Sequence, residues 1–564
     1  MNRLATLLPA VLCLAYGVWL AATVPASPAL GWDESMHALL PAARVVEALR
    51  AGQPGVALEA LLGCAQYPPA WPAVLALAQL PGGVSEALAR AVTSLAWGAA
   101  LVCVVLLARR AAVGDARADP RVAGWTALAF GALSPLAASY AGTLFLEVPS
   151  ALAVGLALWA WLWRADAPSR AREVVAGLAI VLALFTKWNY GLLVALALAA
   201  DLAFEILLAA RAGRARELLV RSAWLAAPIA LALAWWFVLP LPGGLDRAAE
   251  HRAAFAGFLG GNLGAAPASA AERVLYAATG IGASVRASLV VALFALVALV
   301  ALGGARRPAV RVLALCAAAL LAAPLVHPFF LDRFLVPGLV PLFALVGLGC
   351  ARALPRTRFA RATAVAVLAL TLSVAPGVDG AWLADRLGRL PEAEPARTYV
   401  REVLAERVRL GPRRRLPTAG LARAEHDALL DLAAAEVRAG ERVGWIGMSS
   451  EISPAVLHLG LCARGGDGGW FLERDPPALD LTYFGTDPGC SDAEILAYAA
   501  RFDVLLWTDP SDLRERRERA FAGALRDRLV ALRPSEVREL GRVAIARPLR
   551  PPLEARLFAC RPRP

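Results

Sequence analysis

Apolar runs long enough to cross a membrane recur through about the first two thirds of this chain, and nothing else in the sequence limits its fold as much. A bilayer core of ~30 Å takes about 20 apolar residues as a helix. With no water there to satisfy an open backbone, helices and closed barrels are the only structures that can span it. Such runs fall at roughly 4–24, 88–108, 123–142, 148–163, 173–186, 188–208, 222–240, 287–304, 312–327, 334–351 and 363–376. Hydrophobic residues make up 59% of the 564, with a mean hydropathy of +0.58, more apolar surface than one soluble core can hide. The expected fold is an all-α polytopic membrane bundle of about eleven transmembrane helices. The first run starts near Arg3 and leaves through Val24-Pro25-Ala26, as a cleaved leader would, yet its length of about 20 residues suits a retained span.

The arginines give the bundle a direction. If the N-terminus is cytoplasmic, alternation of the runs puts Arg109, Arg110, Arg117 and Arg121 inside, then Arg164, Arg170 and Arg172, then Arg211, Arg214, Arg216 and Arg221. Arg306, Arg307, Arg311, Arg352, Arg356, Arg358 and Arg361 follow to the same side, which is the positive-inside pattern. The short loops of the opposite set hold little charge besides Lys187 and Arg333. Asp33, Glu147, Lys187 and Arg333 are therefore expected to share one outer depth. Orientation and anionic lipid headgroups account for the net charge of +12 without a nucleic-acid partner.

Past about residue 377 no membrane-length run remains, and acids and arginines become dense. Val443–Met448, Phe502–Trp507 and Val543–Ala546 read as short buried strands among helical patterns at 492–501 and 511–533, with a helical segment at 395–440 leading in. The expected organisation is a membrane domain over 1–376, with a long first outer loop at 25–87, and an extracytoplasmic α/β domain over 377–564. Within that loop, Met36, Leu39, Leu40, Val45, Val46 and Leu49 recur at helical spacing, as in a helix lying along the interface. Cys13, Cys103, Cys316 and Cys350 sit inside apolar runs and read as small hydrophobes; Cys64, Cys462, Cys490 and Cys560 could pair if exported. No G-x-G-x-x-G or P-loop is present, so no nucleotide cofactor is expected.

Lys187 is the only lysine in a chain with 57 Lys plus Arg, and it stands at the hinge of two apolar runs. A compact ammonium kept at or near a membrane, where every other strong cation is arginine, points to a specific partner. A snorkelling interface anchor is the plain alternative. Asp33 and Glu34, just beyond the first run, are the candidate catalytic acids: a carboxylate partly desolvated at headgroup depth can take a proton from an acceptor hydroxyl. Glu34 and His37, spaced i, i+3, could face one side of a helix and hold a metal, but no third ligand is visible. A histidine bonded to its neighbouring acid is the simpler reading, and a divalent metal is left open. Arg44 follows seven residues after His37.

Glu147, ahead of Pro149 in a short connector, could orient the acceptor, bind a metal or pair with Lys187; the plain alternative is that it stabilises the start of the next helix. Lys187 and Arg333 could hold a lipid phosphate and the charge that grows on it as it leaves. A local pair of Arg333 with Asp332 is the alternative. Tyr67, in the stiff Tyr67-Pro68-Pro69-Ala70-Trp71-Pro72 segment, suits a membrane-belt anchor and a sugar-stacking surface equally well. Tyr190, three residues past Lys187, is a further candidate to line the substrate or support the lysine.

Five short segments, taken in order, resemble the GT-C superfamily of integral membrane glycosyltransferases, in the branch with protein O-mannosyltransferases and bacterial lipid A aminoarabinose transferases. They are Asp33-Glu34, Tyr67-Pro68-Pro69, Leu146-Glu147-Val148-Pro149, Thr186-Lys187 and Arg333-Phe334-x-x-Pro337, and the resemblance covers roughly residues 1–376. It implies a polyprenyl-phosphate-linked sugar donor, Asp33 as catalytic base, Glu147 as second acid, and Lys187 and Arg333 on the donor phosphate. Several relatives carry Asp where this chain has Glu147. The expectation is a multi-pass bacterial inner-membrane glycosyltransferase, hexosyl or pentosyl, acting at the outer face on a lipid, glycan or protein acceptor among membrane lipids. A transporter or lipid flippase and a non-catalytic envelope protein are the rival readings. Transporters tend to place ionisable groups mid-span and to repeat their halves, which this sequence does not display.

Overall fold

A computed structural model gives the fold for residues 3–22, 34–63, 67–237, 289–303, 307–326, 332–354 and 423–437, and farther on for 441, 443–446, 493, 500, 502–508, 528–531, 537–547 and 550–560. By spatial contact the chain divides into two units. One comprises Met1–Pro25, Pro41–Pro391 and Val403–Leu416; the other comprises Ala26–Leu40, Glu392–Glu402 and Pro417–Pro564.

The first unit is helical, in the order α1 Arg3–Ala22, α2 Leu40–Arg50, α3 Pro54–Leu62, α4 Ala70–Gln79, α5 Glu86–Ala112, α6 Pro120–Ala132, α7 Pro135–Ala141 and α8 Glu147–Asp166. Then come α9 Arg170–Thr186, α10 Trp188–Arg211, α11 Ala215–Phe237, α12 Leu289–Ala301, α13 Pro308–Val326, a 3-10 turn Asp332–Leu335 and α14 Val336–Ala353. Among the described residues five helices are long and apolar enough to cross a bilayer: α5, α8, α10, α11, and α14 with its leading turn. The protein is a multi-pass membrane protein. The run expected over 123–142 is two helices, because Ser134 accepts from the Ala137 N–H as an N-cap and Pro135 opens α7, which stops α6 at Ala132. The run at 363–376 lies outside the described residues.

Small residues set the packing. Gly347 of α14 lies against Ala127 of α6, and Gly349 against Ala295 of α12; a Cβ at either would overlap the neighbouring helix backbone. Gly98 of α5 meets α1 in the same way, where a Cβ would stand 2.8 Å from the Cys13 carbonyl oxygen. α14 is buried from Val336 to Arg352, with Phe343 and Phe130 of α6 at 6.4 Å between ring centroids.

One end of this unit is laced by ion pairs between the ends of helices distant in sequence. Arg352 at the end of α14 reaches Asp115 at 2.6 Å and donates to the Leu299 and Leu302 carbonyls, while Arg307 stands 3.4 Å from the same carboxylate. Arg311 of α13 meets Asp201 of α10 at 2.6 Å, and the Trp161 indole donates to that acid at 2.9 Å. Arg164 pairs with Glu205 at 2.9 Å, Arg221 pairs with Glu173 at 2.6 Å, and Arg110 pairs with Asp166. These arginines belong to the set that alternation gathers on one side.

In the second unit Ser35–Leu39 form a π turn, α15 is Arg423–Glu436, and β1 Val443–Ile446, β2 Val504–Thr508, β3 Arg538–Arg547 and β4 Arg550–Ala559 make one sheet in the order β1-β2-β4-β3. β1 and β2 are parallel, with Val443 opposite Val504; β2–β4 and β3–β4 are antiparallel, with Val504 opposite Ala559 and Val543 opposite Ala555. Leu432 of α15 lies against Gly541 of β3, where any Cβ would strike it. β4 has no counterpart among the expected strands. Its opening Pro551-Pro552 removes two backbone donors, a strong signal against a strand. The expected helices at 492–501 and 511–533 lie almost wholly outside the described residues. Cys560 is buried, and its candidate partners Cys64, Cys462 and Cys490 lie outside the described residues.

Candidate active site

The end of the first unit away from the ion-pair lacing is built around the α9–α10 hairpin. Lys187 is the single residue between the two helices, extended at φ −156° and ψ 105°, so it ends α9 and begins α10 at once. Gly191 makes so tight a reversal feasible: its Cα faces the Leu184 backbone, and a Cβ would overlap main-chain atoms that have nowhere to move. The hairpin therefore carries a buried ammonium into the bundle, 5% exposed.

Glu147 meets it there. The carboxylate opens α8, where the helix dipole favours negative charge, and is buried at 1% exposure. Lys187 Nζ donates to Glu147 Oε1 at 2.8 Å, and Arg333 Nε lies 3.5 Å from the same oxygen. Arg333 comes from the turn that leads into α14. Burial pushes the Lys187 ammonium down, but the Glu147 carboxylate and Tyr67 outweigh burial and the opposing Arg333, holding the group above the ordinary lysine range.

Aromatic rings enclose the charges. Lys187 Nζ lies 4.8 Å from the Tyr67 ring centroid, 5.3 Å from Tyr190 and 5.5 Å from Phe334. Arg333 Cζ lies 4.2 Å over Phe145 and 5.6 Å from Phe334. Ring faces attract cations most when water is excluded, so they hold the ammonium and guanidinium without adding negative charge. Taken by themselves, one carboxylate and two cations carry a net positive charge, in a setting of low effective dielectric. Such a group can bind an anion through charge-assisted hydrogen bonds.

Glu147, Lys187, Arg333, Tyr67 and Tyr190 thus come together from five elements or connectors. Asp33 lies outside the described residues. Glu34, 4% exposed, and the half-buried His37 belong to the second unit, and Arg44 is half-buried on α2. Glu34 has right-handed helical φ and ψ and leads directly into the Ser35–Leu39 π turn that carries His37. Among the described residues no three His, Cys, Asp or Glu side chains gather as a metal site. Phe145 is a site residue that the sequence alone did not single out, its only signal being its place two residues before Glu147; Phe334 stood in the Arg333-Phe334-x-x-Pro337 segment without a role assigned to it.

No protein-family model matches the sequence, and no curated protein matches it. Among solved structures it is similar to ArnT from Cupriavidus metallidurans in the apo state, at 14% identity over 97% of each chain with a TM-score of 0.55. It is also similar to the same organism's ArnT bound to undecaprenyl phosphate, at 15% identity over 98% of each chain with a TM-score of 0.56. The arabinofuranosyltransferase AftD from Mycobacteria matches all of this chain over 40% of its own length, at 15% identity and a TM-score of 0.52. The chain shares the fold of these GT-C superfamily membrane glycosyltransferases.

Proposed function

We propose that the protein is a membrane glycosyltransferase that moves a sugar from a polyprenyl-phosphate-linked donor to a lipid, glycan or protein acceptor at the outer face of the bacterial inner membrane. The observation that carries this reading is the buried Glu147–Lys187–Arg333 group, with 2.8 Å and 3.5 Å contacts on one carboxylate oxygen. Lys187 and Arg333 brace the donor phosphate, and Glu147 holds the two cations in register. An ArnT structure has been solved with undecaprenyl phosphate bound, which supports a lipid phosphate as the anion. Asp33 acts as the base, Glu34 as its neighbouring acid, and His37, Arg44, Tyr67 and Tyr190 line or support the substrate. C-terminal residues 377–564 form the extracytoplasmic domain.

The chemistry needs one displacement. The acceptor oxygen attacks the anomeric carbon, its proton passes to Asp33, and the bond from that carbon to the phosphate oxygen breaks. The polyprenyl phosphate leaves with the electron pair, and the configuration at the sugar inverts. The leaving group gains negative charge, which the two cations stabilise in a site of low dielectric. A transporter would place its ions in mid-span, whereas these three stand at helix starts and a hairpin tip.

Envelope glycans compared between cells with and without the gene identify donor and acceptor together through the sugar that is lost. With that pair in hand, Asp33→Asn in the purified protein should slow transfer by about 100-fold or more. Full transfer by this variant would falsify the assignment of Asp33.

A further inference from the structure

Arg90 is fully buried four residues into α5, at the same end of the first unit as Lys187. A guanidinium out of water is costly unless its donors are used. Its Nε donates to Glu86 at 2.8 Å and its Nη1 to the Gly142 carbonyl at 3.0 Å. One helical turn on, the Ser94 hydroxyl donates to the Ala141 carbonyl at 3.0 Å. Two side chains of α5 therefore hold successive carbonyls at the end of α7, where a helix leaves acceptors without partners of its own.

The held backbone leads straight into the site. Thr143 closes the turn by donating from both its hydroxyl and its N–H to the Tyr140 carbonyl, at 2.7 Å and 3.0 Å. Phe145 packs edge-on against Tyr140 at 5.8 Å and lies under the Arg333 guanidinium, and two residues later Glu147 opens α8. We infer that Arg90 and Ser94 are positioning residues, a clamp that fixes where the Glu147 carboxylate stands and so where Lys187 and Arg333 meet an anion. The inference rests on the reading of that group as the donor-phosphate site. A plain helix cap would need only the serine; a buried arginine adds a fork that ties the connector to α5 at two levels.

Lys187 is the only lysine in the chain, so the full-length protein labelled with [ε-13C]lysine yields one side-chain signal from the centre of the site. Arg90→Met should move that signal and weaken undecaprenyl phosphate binding about 5- to 10-fold, with about 2- to 3-fold for Ser94→Ala. Arg90→Lys, which keeps a donor for the Gly142 carbonyl but adds a second lysine, is read by binding alone and should recover part of the lost affinity. A role confined to stability would lower the unfolding temperature of Arg90→Met and leave the lysine signal in place. A folded Arg90→Met with wild-type signal and affinity overturns the clamp. Should that variant not fold, Ser94→Ala decides, and an unmoved signal overturns the clamp there too. Undecaprenyl phosphate that leaves the wild-type lysine signal untouched counts against the donor reading instead, and the clamp is then judged on the variant shifts alone.

Discussion

At the residue scale, a single carboxylate oxygen of Glu147 faces both Lys187 and Arg333. Glu147→Gln strips the counter-charge from the buried Lys187 and the partly buried Arg333 and should lower unfolding free energy by about 3–5 kcal/mol, read from denaturation in detergent. Glu147→Asp keeps the charge and should cost much less; equal losses for the two variants would mean that shape, not charge, is what the site needs. Lys187→Met should abolish polyprenyl-phosphate binding, and Lys187→Arg should restore little of it, because a planar fork does not fit the cage of Tyr67, Tyr190 and Phe334 around a compact ammonium. Glu147, Lys187 and Arg333 could be grouped from sequence because alternation of the apolar runs puts their connectors on one side. Arg90 escaped that logic. An arginine at the start of an apolar run looks like a snorkelling anchor, and only its burial and the Gly142 bond mark it otherwise.

At the element scale, the α9–α10 hairpin depends on Gly191 against the Leu184 backbone. Gly191→Ala should destabilise the protein by about 1–3 kcal/mol and displace Lys187, so thermal unfolding and polyprenyl-phosphate binding should both suffer. Wild-type values for both would show that the reversal has more room than the geometry allows. The opposite end is held by Asp115. Burial raises its carboxyl, but the Arg117 backbone N–H and the Arg352 and Arg307 guanidiniums prevail and hold it below the usual carboxylate range. Since the folded carboxyl binds its proton less readily than the unfolded one, its stabilisation is complete above about pH 4 and fades as the pH falls further. Asp115→Asn should therefore be less stable than wild type near neutrality and approach it in acid, as unfolding temperatures at the two pH values would reveal. The Ser134-Pro135 break was legible as an N-cap followed by a first-turn proline, yet apolar length on both sides masks it. β4 was hidden for the opposite reason, its prolines outweighing the alternation of Leu553, Ala555 and Leu557.

Across the whole molecule, hydropathy and arginine placement were enough to foresee a helical membrane bundle, because both follow from the bilayer and not from detailed packing. Which helices touch was not readable. That depends on small residues such as Gly98, Gly347 and Gly349 finding their particular neighbours, and glycine is common throughout the chain. Arg333 and Arg352 stand near opposite ends of one largely buried helical rod, each committed to partners on other elements. The rod works as a spacer of roughly 30 Å, and its pitch couples the facing directions of its two tips. One alanine inserted near its middle would turn one tip by about 100° relative to the other, so a chain of unchanged hydrophobicity should insert into membranes normally and still fail to seat both guanidiniums.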